Sequence, residues 1–99
     1  MPDPHVHVVT TMLTRPHTAE QFAAAMRELV QAGRRLPGNL RFEAWQSTGD
    51  PREFVVLEVW DSDDAADAHL GSDHTEQAFV AIGPLLELPS ALVRHVRVA

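Results

Sequence analysis

Four β-branched or apolar stretches and two helical ones follow one another in the order β-α-β-β-α-β, which predicts an α+β domain. Two further observations sharpen this. The turn-forming "TGDPRE" ties the middle strands into a hairpin, and the third strand is apolar on both of its sides. The layout is the split-βαβ, ferredoxin-like one: a four-stranded antiparallel sheet with its helices on one face. Helices cover one face only, so a second copy of the chain is the simplest cover for the other. Two such sheets facing each other would close a dimeric α/β barrel. Ninety-nine residues make a single domain, 1–99, too short for two independent cores.

Each element has a local reason. "VHVVTTML" reads as strand one, ending near Leu13. Thr18 with Gln21 three residues later has the spacing of a capping box, with Pro16 just outside. Phe22, Met26, Leu29, Val30 and Gly33 then fall on one stripe at helical spacing, and Gly33 or the Arg34-Arg35 pair ends the helix. "GNLRFEAWQS" reads as strand two, with Leu40, Phe42 and Ala44 alternating against Arg41, Glu43 and Trp45. "FVVLEVW" is strand three. Asp61 or Ser62 caps a short helix through His69, which Gly71 closes. Ser72 caps a further piece with Ala78, Phe79, Ile82, Leu85 and Leu86 inward. Pro84 and Pro89 punctuate the exit to a last strand, "SALVRHVRVA".

Composition removes whole classes of chemistry. The formal charge is −6, and no basic cluster exceeds Arg34-Arg35, so neither nucleic acid nor an anionic membrane meets a matching field. There is no cysteine, hence no disulfide, thiolate nucleophile or Fe–S site. All eight basic residues are arginine, which leaves no lysine for Schiff-base chemistry, and tyrosine is absent too. The opening "MPDPHVHVV" lacks the pattern of a signal peptide, and no apolar run approaches the ~20 residues that span a bilayer. The expectation is a cytoplasmic protein.

Glu58 and Trp60 lie two apart on a strand and share a face. A carboxylate desolvated beside an indole can serve as a base; the plainer reading makes Trp60 core and Glu58 a structural acceptor. His69 and His74 are five apart across a Gly-Ser break, a spacing unsuited to a metal pair, and no metal site is expected. One of them could reach Glu58; the plainer reading is a helix-end histidine bonded to backbone. Phe22, Met26, Phe54, Phe79 and Ile82 line either a cleft between helices and sheet or plain core. The acidic "DSDDAADA" is a capped helix start without the ligand pattern of a calcium loop. His5, His7, His17 and His95 form no triad.

The stretch from Pro37 to Phe79 resembles the antibiotic biosynthesis monooxygenase family of dimeric α/β-barrel proteins. Pro37-Gly38, the Asp50-Pro51 turn, Phe54, Glu58-x-Trp60, Ala65, His69, Ser72, His74 and Phe79 carry the likeness. It implies oxygenation of an electron-rich aromatic by O₂ with no cofactor. Anthrone-oxygenating members resemble one another in an asparagine four residues before the strand-three Trp; this chain has Val56 there, and no tyrosine. The haem-degrading branch uses a strand-one asparagine, whereas the one asparagine here is Asn39. The quinol-oxidising branch is the more similar.

The resemblance implies a homodimeric monooxygenase acting on a quinol or polyphenolic aromatic. Glu58 and His69 would be its proton-accepting pair and Trp60 a wall. Phe22, Met26, Phe54, Val56, His74 and Phe79 would contact substrate. The alternatives are a non-catalytic dimer that binds a small aromatic, and a polyketide cyclase or isomerase on the same barrel.

Overall fold

A computed structural model describes residues 4–99; Met1, Pro2 and Asp3, which begin the stretch read above for a leader, lie outside the described residues. The chain runs β1 (Val6–Leu13), α1 (Ala19–Arg34), β2 (Asn39–Gln46), β3 (Glu53–Trp60), α2 (Asp63–Leu70), α3 (Asp73–Ile82), a 3₁₀ turn (Gly83–Leu85) and β4 (Ala91–His95). The four strands form one antiparallel sheet in the order β2-β3-β1-β4, the ferredoxin-like arrangement. No helix among the described residues is long and apolar enough to cross a membrane.

Alternation along β1 and β3 sorts the side chains. Val6, Val8 and Met12 join Phe54, Val56 and Trp60 in a core with Phe22, Met26 and Val30 of α1, Ala66 of α2 and Ile82 of α3. All three helices therefore pack on one side of the sheet. Across the other side run rows set by register: Trp45–Val55–Thr11–Ala91, then Glu43–Leu57–Val9–Val93, then Arg41–Val59–His7–His95. Among the described residues no helix lies over this face.

Several local expectations are corrected. Thr18 does not close a capping box: its hydroxyl proton is directed to the carbonyls of Arg15 and Leu85, 2.8 and 3.0 Å away, tying the start of α1 to the 3₁₀ turn. Gly33 does not end α1, which continues to Arg34. Its lack of a side chain serves packing instead, because a Cβ there would stand 2.2 Å from the Phe42 ring. Leu40 falls at the register break between Asn39 and Arg41, so of the expected inward set in β2 only Phe42 is buried. β4 is five residues long, not ten. In α3, Ile82 is buried but Phe79 is 40 % exposed.

The hairpin forms as its residues dictate. The Ser47 hydroxyl accepts from the amides of Gly49 and Asp50, and the Asp50 carboxylate accepts from the Arg52 amide. The two short helices begin as expected, with Ser62 and Ser72 accepting from the amides of Ala65 and Thr75.

Candidate active site

β3 delivers Glu58 and Trp60 to the helix-covered side, where they are 5 % and 1 % exposed. The strand's two-residue period puts the indole beside the carboxylate, and Trp60 Nε1–H donates to Glu58 Oε1 at 3.1 Å. The chain then turns at Asp61 and α2 folds back over the strand end. Gly38 seats that turn: its carbonyl accepts the Asp61 amide, and its φ of 82° with Ala65 and Asp61 close by leaves no room for a side chain. Arg94 of β4 holds the exposed flank of α2 through Asp63, 2.8 Å away, and Asp67.

Seated this way, α2 turns its histidine inward. His69, 3 % exposed, stacks on Trp60 with ring centres 4.9 Å apart and meets the edge of Phe42 at 5.4 Å. Its Nε2 lies 3.3 Å from Glu58 Oε1, the oxygen that also takes the indole hydrogen. Its Nδ1 lies 3.3 Å from Thr75 Oγ1. Both ring nitrogens thus have partners, one on β3 and one on α3.

Burial sets the electrostatics. It raises the Glu58 carboxyl above the ordinary carboxylate range, against the Trp60 hydrogen bond. It lowers His69 to about 4, with the neighbouring His74 charge acting in the same direction. Near neutral pH the imidazole is therefore uncharged, and it faces Glu58 as a neutral nitrogen at 3.3 Å, not as half of an ion pair. A neutral imidazole beside a carboxylate of heightened proton affinity, in a water-poor setting, is equipped to accept a proton.

The space beside the pair is small. A cavity of about 20 Å³ lies against Met26, Val56, Glu58, His69, Thr75 and Phe79, room for about one water. Leu70 and Phe79 separate it from an open groove of about 470 Å³ that also touches Gly71, Ser72, Glu76 and Val80. Of the other residues expected at the site, Phe22 and Phe54 lie elsewhere, packed on each other with ring centres 4.7 Å apart. His74 stands behind His69 at 5.4 Å and lines a groove between α1 and α3. Among the described residues no three His, Cys, Asp or Glu converge as a metal would require.

Sequence reasoning missed Phe42 and Thr75 as neighbours of His69. The Ser72-x-x-Thr75 spacing announces a helix cap. That the same pair frames the imidazole depends on the angle between α2 and α3, which carries no local signal.

Comparison with known proteins identifies the family and the fold. Residues 5–81 match the family model described as antibiotic biosynthesis monooxygenase. The chain is 35 % identical over 81 residues to "Putative monooxygenase YcnE" of Bacillus subtilis (strain 168), covering 81 % of this chain and 84 % of that protein. Among solved structures it is similar to "Putative antibiotic biosynthesis monooxygenase from Nitrosomonas europaea", with a TM-score of 0.93 at 23 % identity over 99 % of this chain and 94 % of that one. It is also similar to PA3566 from Pseudomonas aeruginosa, with a TM-score of 0.88 at 24 % identity over 97 % and 96 % of the two chains. At those identities the structural likeness speaks for the fold; the family rests on the sequence matches. The chain belongs to the antibiotic biosynthesis monooxygenase family.

Proposed function

We propose that this protein is a cofactor-independent monooxygenase that oxidises a quinol or polyphenolic aromatic with O₂. One observation carries the reading: the buried Glu58 oxygen shared by the Trp60 and His69 ring nitrogens. Triplet O₂ does not react directly with a singlet arene, but a deprotonated hydroxyarene can pass it one electron. The protein's part is then to hold the arene in a dry site and take its proton. The superoxide and the aryloxyl radical combine at a ring carbon to a peroxide, which breaks to give a hydroxyquinone and water. A quinol and one O₂ thus balance, with one oxygen atom in each product.

Glu58 accepts the hydroxyl proton, His69 orients the carboxylate, and Trp60 walls the pair. The ring of the substrate needs more room than the inner cavity offers, so it lies in the outer groove and displaces Phe79 and Leu70 to reach Glu58. Met26 and Val56 line the inner end of that path. The subunit works as a homodimer through the uncovered sheet face, where Val9, Val55, Leu57, Val59 and Val93 form an apolar centre.

Oxygen uptake with menadiol or a dihydroxynaphthalene, corrected for autoxidation, tests the activity. Glu58→Gln lowers turnover by about 10²-fold with the protein still folded, the scale of a lost general base. Full turnover in a well-folded Glu58→Gln would refute the base. Binding of the arene without oxygen uptake by the wild type would assign a non-catalytic binder instead.

A further inference from the structure

The side of His69 turned away from Glu58 leads out of the protein. Nδ1 faces the hydroxyl of Thr75, which is 2 % exposed. That hydroxyl has a second partner, the His69 carbonyl at 2.8 Å. Ser72 Oγ stands 2.9 Å from Thr75 Oγ1 and 2.6 Å from the same carbonyl, and Ser72 lines the outer groove. The links from Glu58 Oε1 to the groove are therefore 3.3, 3.3 and 2.9 Å. Each intermediate group, an imidazole and two hydroxyls, can both donate and accept a hydrogen. Leu70 and Phe79 line both the cavity and the groove and so lie on the direct path between them.

We propose that His69, Thr75 and Ser72 form a proton relay through which Glu58 exchanges one proton with the outer groove while Leu70 and Phe79 stay closed. This rests on the reading of Glu58 as the base, which the relay arms by removing its proton. With Glu58 ionised, His69 Nε2–H donates to it and the Thr75 hydroxyl donates to Nδ1. A proton entering from water passes to Ser72 Oγ, the Ser72 hydrogen to Thr75 Oγ1, the Thr75 hydrogen to Nδ1, and the Nε2 hydrogen to Glu58. One proton has entered and one rests on the carboxyl. The imidazole has changed tautomer, and Nδ1–H now donates to Thr75, whose hydroxyl turns to the His69 carbonyl. The reverse sequence releases the proton and restores the first tautomer. The titratable groups facing the ring are Glu58 from β3 and His74 from α3; β1, β2 and α1 present Thr10, Phe42, Met26 and Leu29. Ser72 and Thr75 act through His69 and are positioning residues.

The relay makes a spectroscopic prediction that is independent of turnover. Nitrogen-15 NMR of His69 in the full chain, at pH values where the ring is neutral, shows Nδ1–H while Glu58 is protonated and Nε2–H once Glu58 ionises. Thr75→Val, which removes the hydroxyl with little change of shape, leaves Nε2–H throughout, and Thr75→Ser restores the switch. A single tautomer across the titration of Glu58 in the wild type would overturn the proposal, as would an unaltered switch in Thr75→Val. If the switch is seen and Glu58→Gln retains full turnover, the relay stands and the base assignment falls.

Discussion

The chain writes Glu-x-Trp twice, once in β2 as Glu43 and Trp45 and once in β3 as Glu58 and Trp60, and the two copies behave oppositely. In both, the indole N–H donates to the carboxylate two residues before it, at 3.0 and 3.1 Å. Glu43 lies on the uncovered face, where Arg41 pairs with it at 2.6 Å and holds its carboxyl below the ordinary range. Glu58 lies under the helices, where burial pushes its carboxyl up. Strand periodicity makes the contact; what covers the strand decides its chemistry. Glu43→Gln therefore leaves turnover unchanged in the assay that Glu58→Gln is expected to cripple. An equal loss in both would make the motif, not its burial, the active feature.

The largest expected effect on stability also separates the two faces. Phe42, beside Glu43 in sequence, points to the covered side and packs on Gly33, Trp60 and His69. Phe42→Ala should cost about 3–5 kcal/mol as its cavity is only partly refilled. Trp45→Ala removes a bigger ring, but one 57 % exposed, and in an isolated subunit should cost under about 1 kcal/mol. Chemical denaturation of each variant measures both values. Similar costs would mean that the uncovered face is packed after all.

A smaller effect comes from pH. His69 has its folded pKa lowered to about 4 from 6.5, so its contribution to stability is complete above 6.5 and is lost as pH falls through about 4. At 1.36 kcal/mol per pH unit this loss is at most about 3 kcal/mol. Glu58, raised by burial, works in the other sense: its contribution is present below 4.5 and is lost as pH rises through its folded value. Denaturation midpoints for His69→Gln should lose the limb between 6.5 and 4 that the wild type shows. Because Glu58 opposes His69 in part of that interval, the comparison is with the variant: a His69→Gln protein with the wild-type pH dependence between 6.5 and 4 would contradict the burial argument.

The least disturbance to the subunit itself is expected on the uncovered face. Leu57→Asp places a charge beside Val9 on the uncovered face and should weaken self-association by roughly 100-fold or more, since an unpaired charge would be buried in the dimer. Light scattering should then show a monomer of unchanged circular dichroism. An undisturbed dimer would locate the interface elsewhere, and a wild-type monomer would remove the barrel.

The sequence by itself determined the order of elements, the hairpin at Asp50, a cap at Asp61 or Ser62, the cap at Ser72 and the shared face of Glu58 and Trp60, because each depends on neighbours within a few residues. Family membership was legible too, since its motif residues are local and countable. Tertiary structure alone decided that Thr18 bonds to Leu85 instead of capping α1, that Gly33 yields to Phe42, and that Phe79 stands at the mouth of the cavity. It also decided that His69, eleven residues beyond Glu58 in the chain, completes a contact with it at 3.3 Å. These depend on how α2 folds back over the sheet, and that angle is set by Gly38, Arg94 and the packing of α3. The direction in which each glutamate shifts belongs to the same class, because desolvation is a property of what lies above a strand and is not written in the strand.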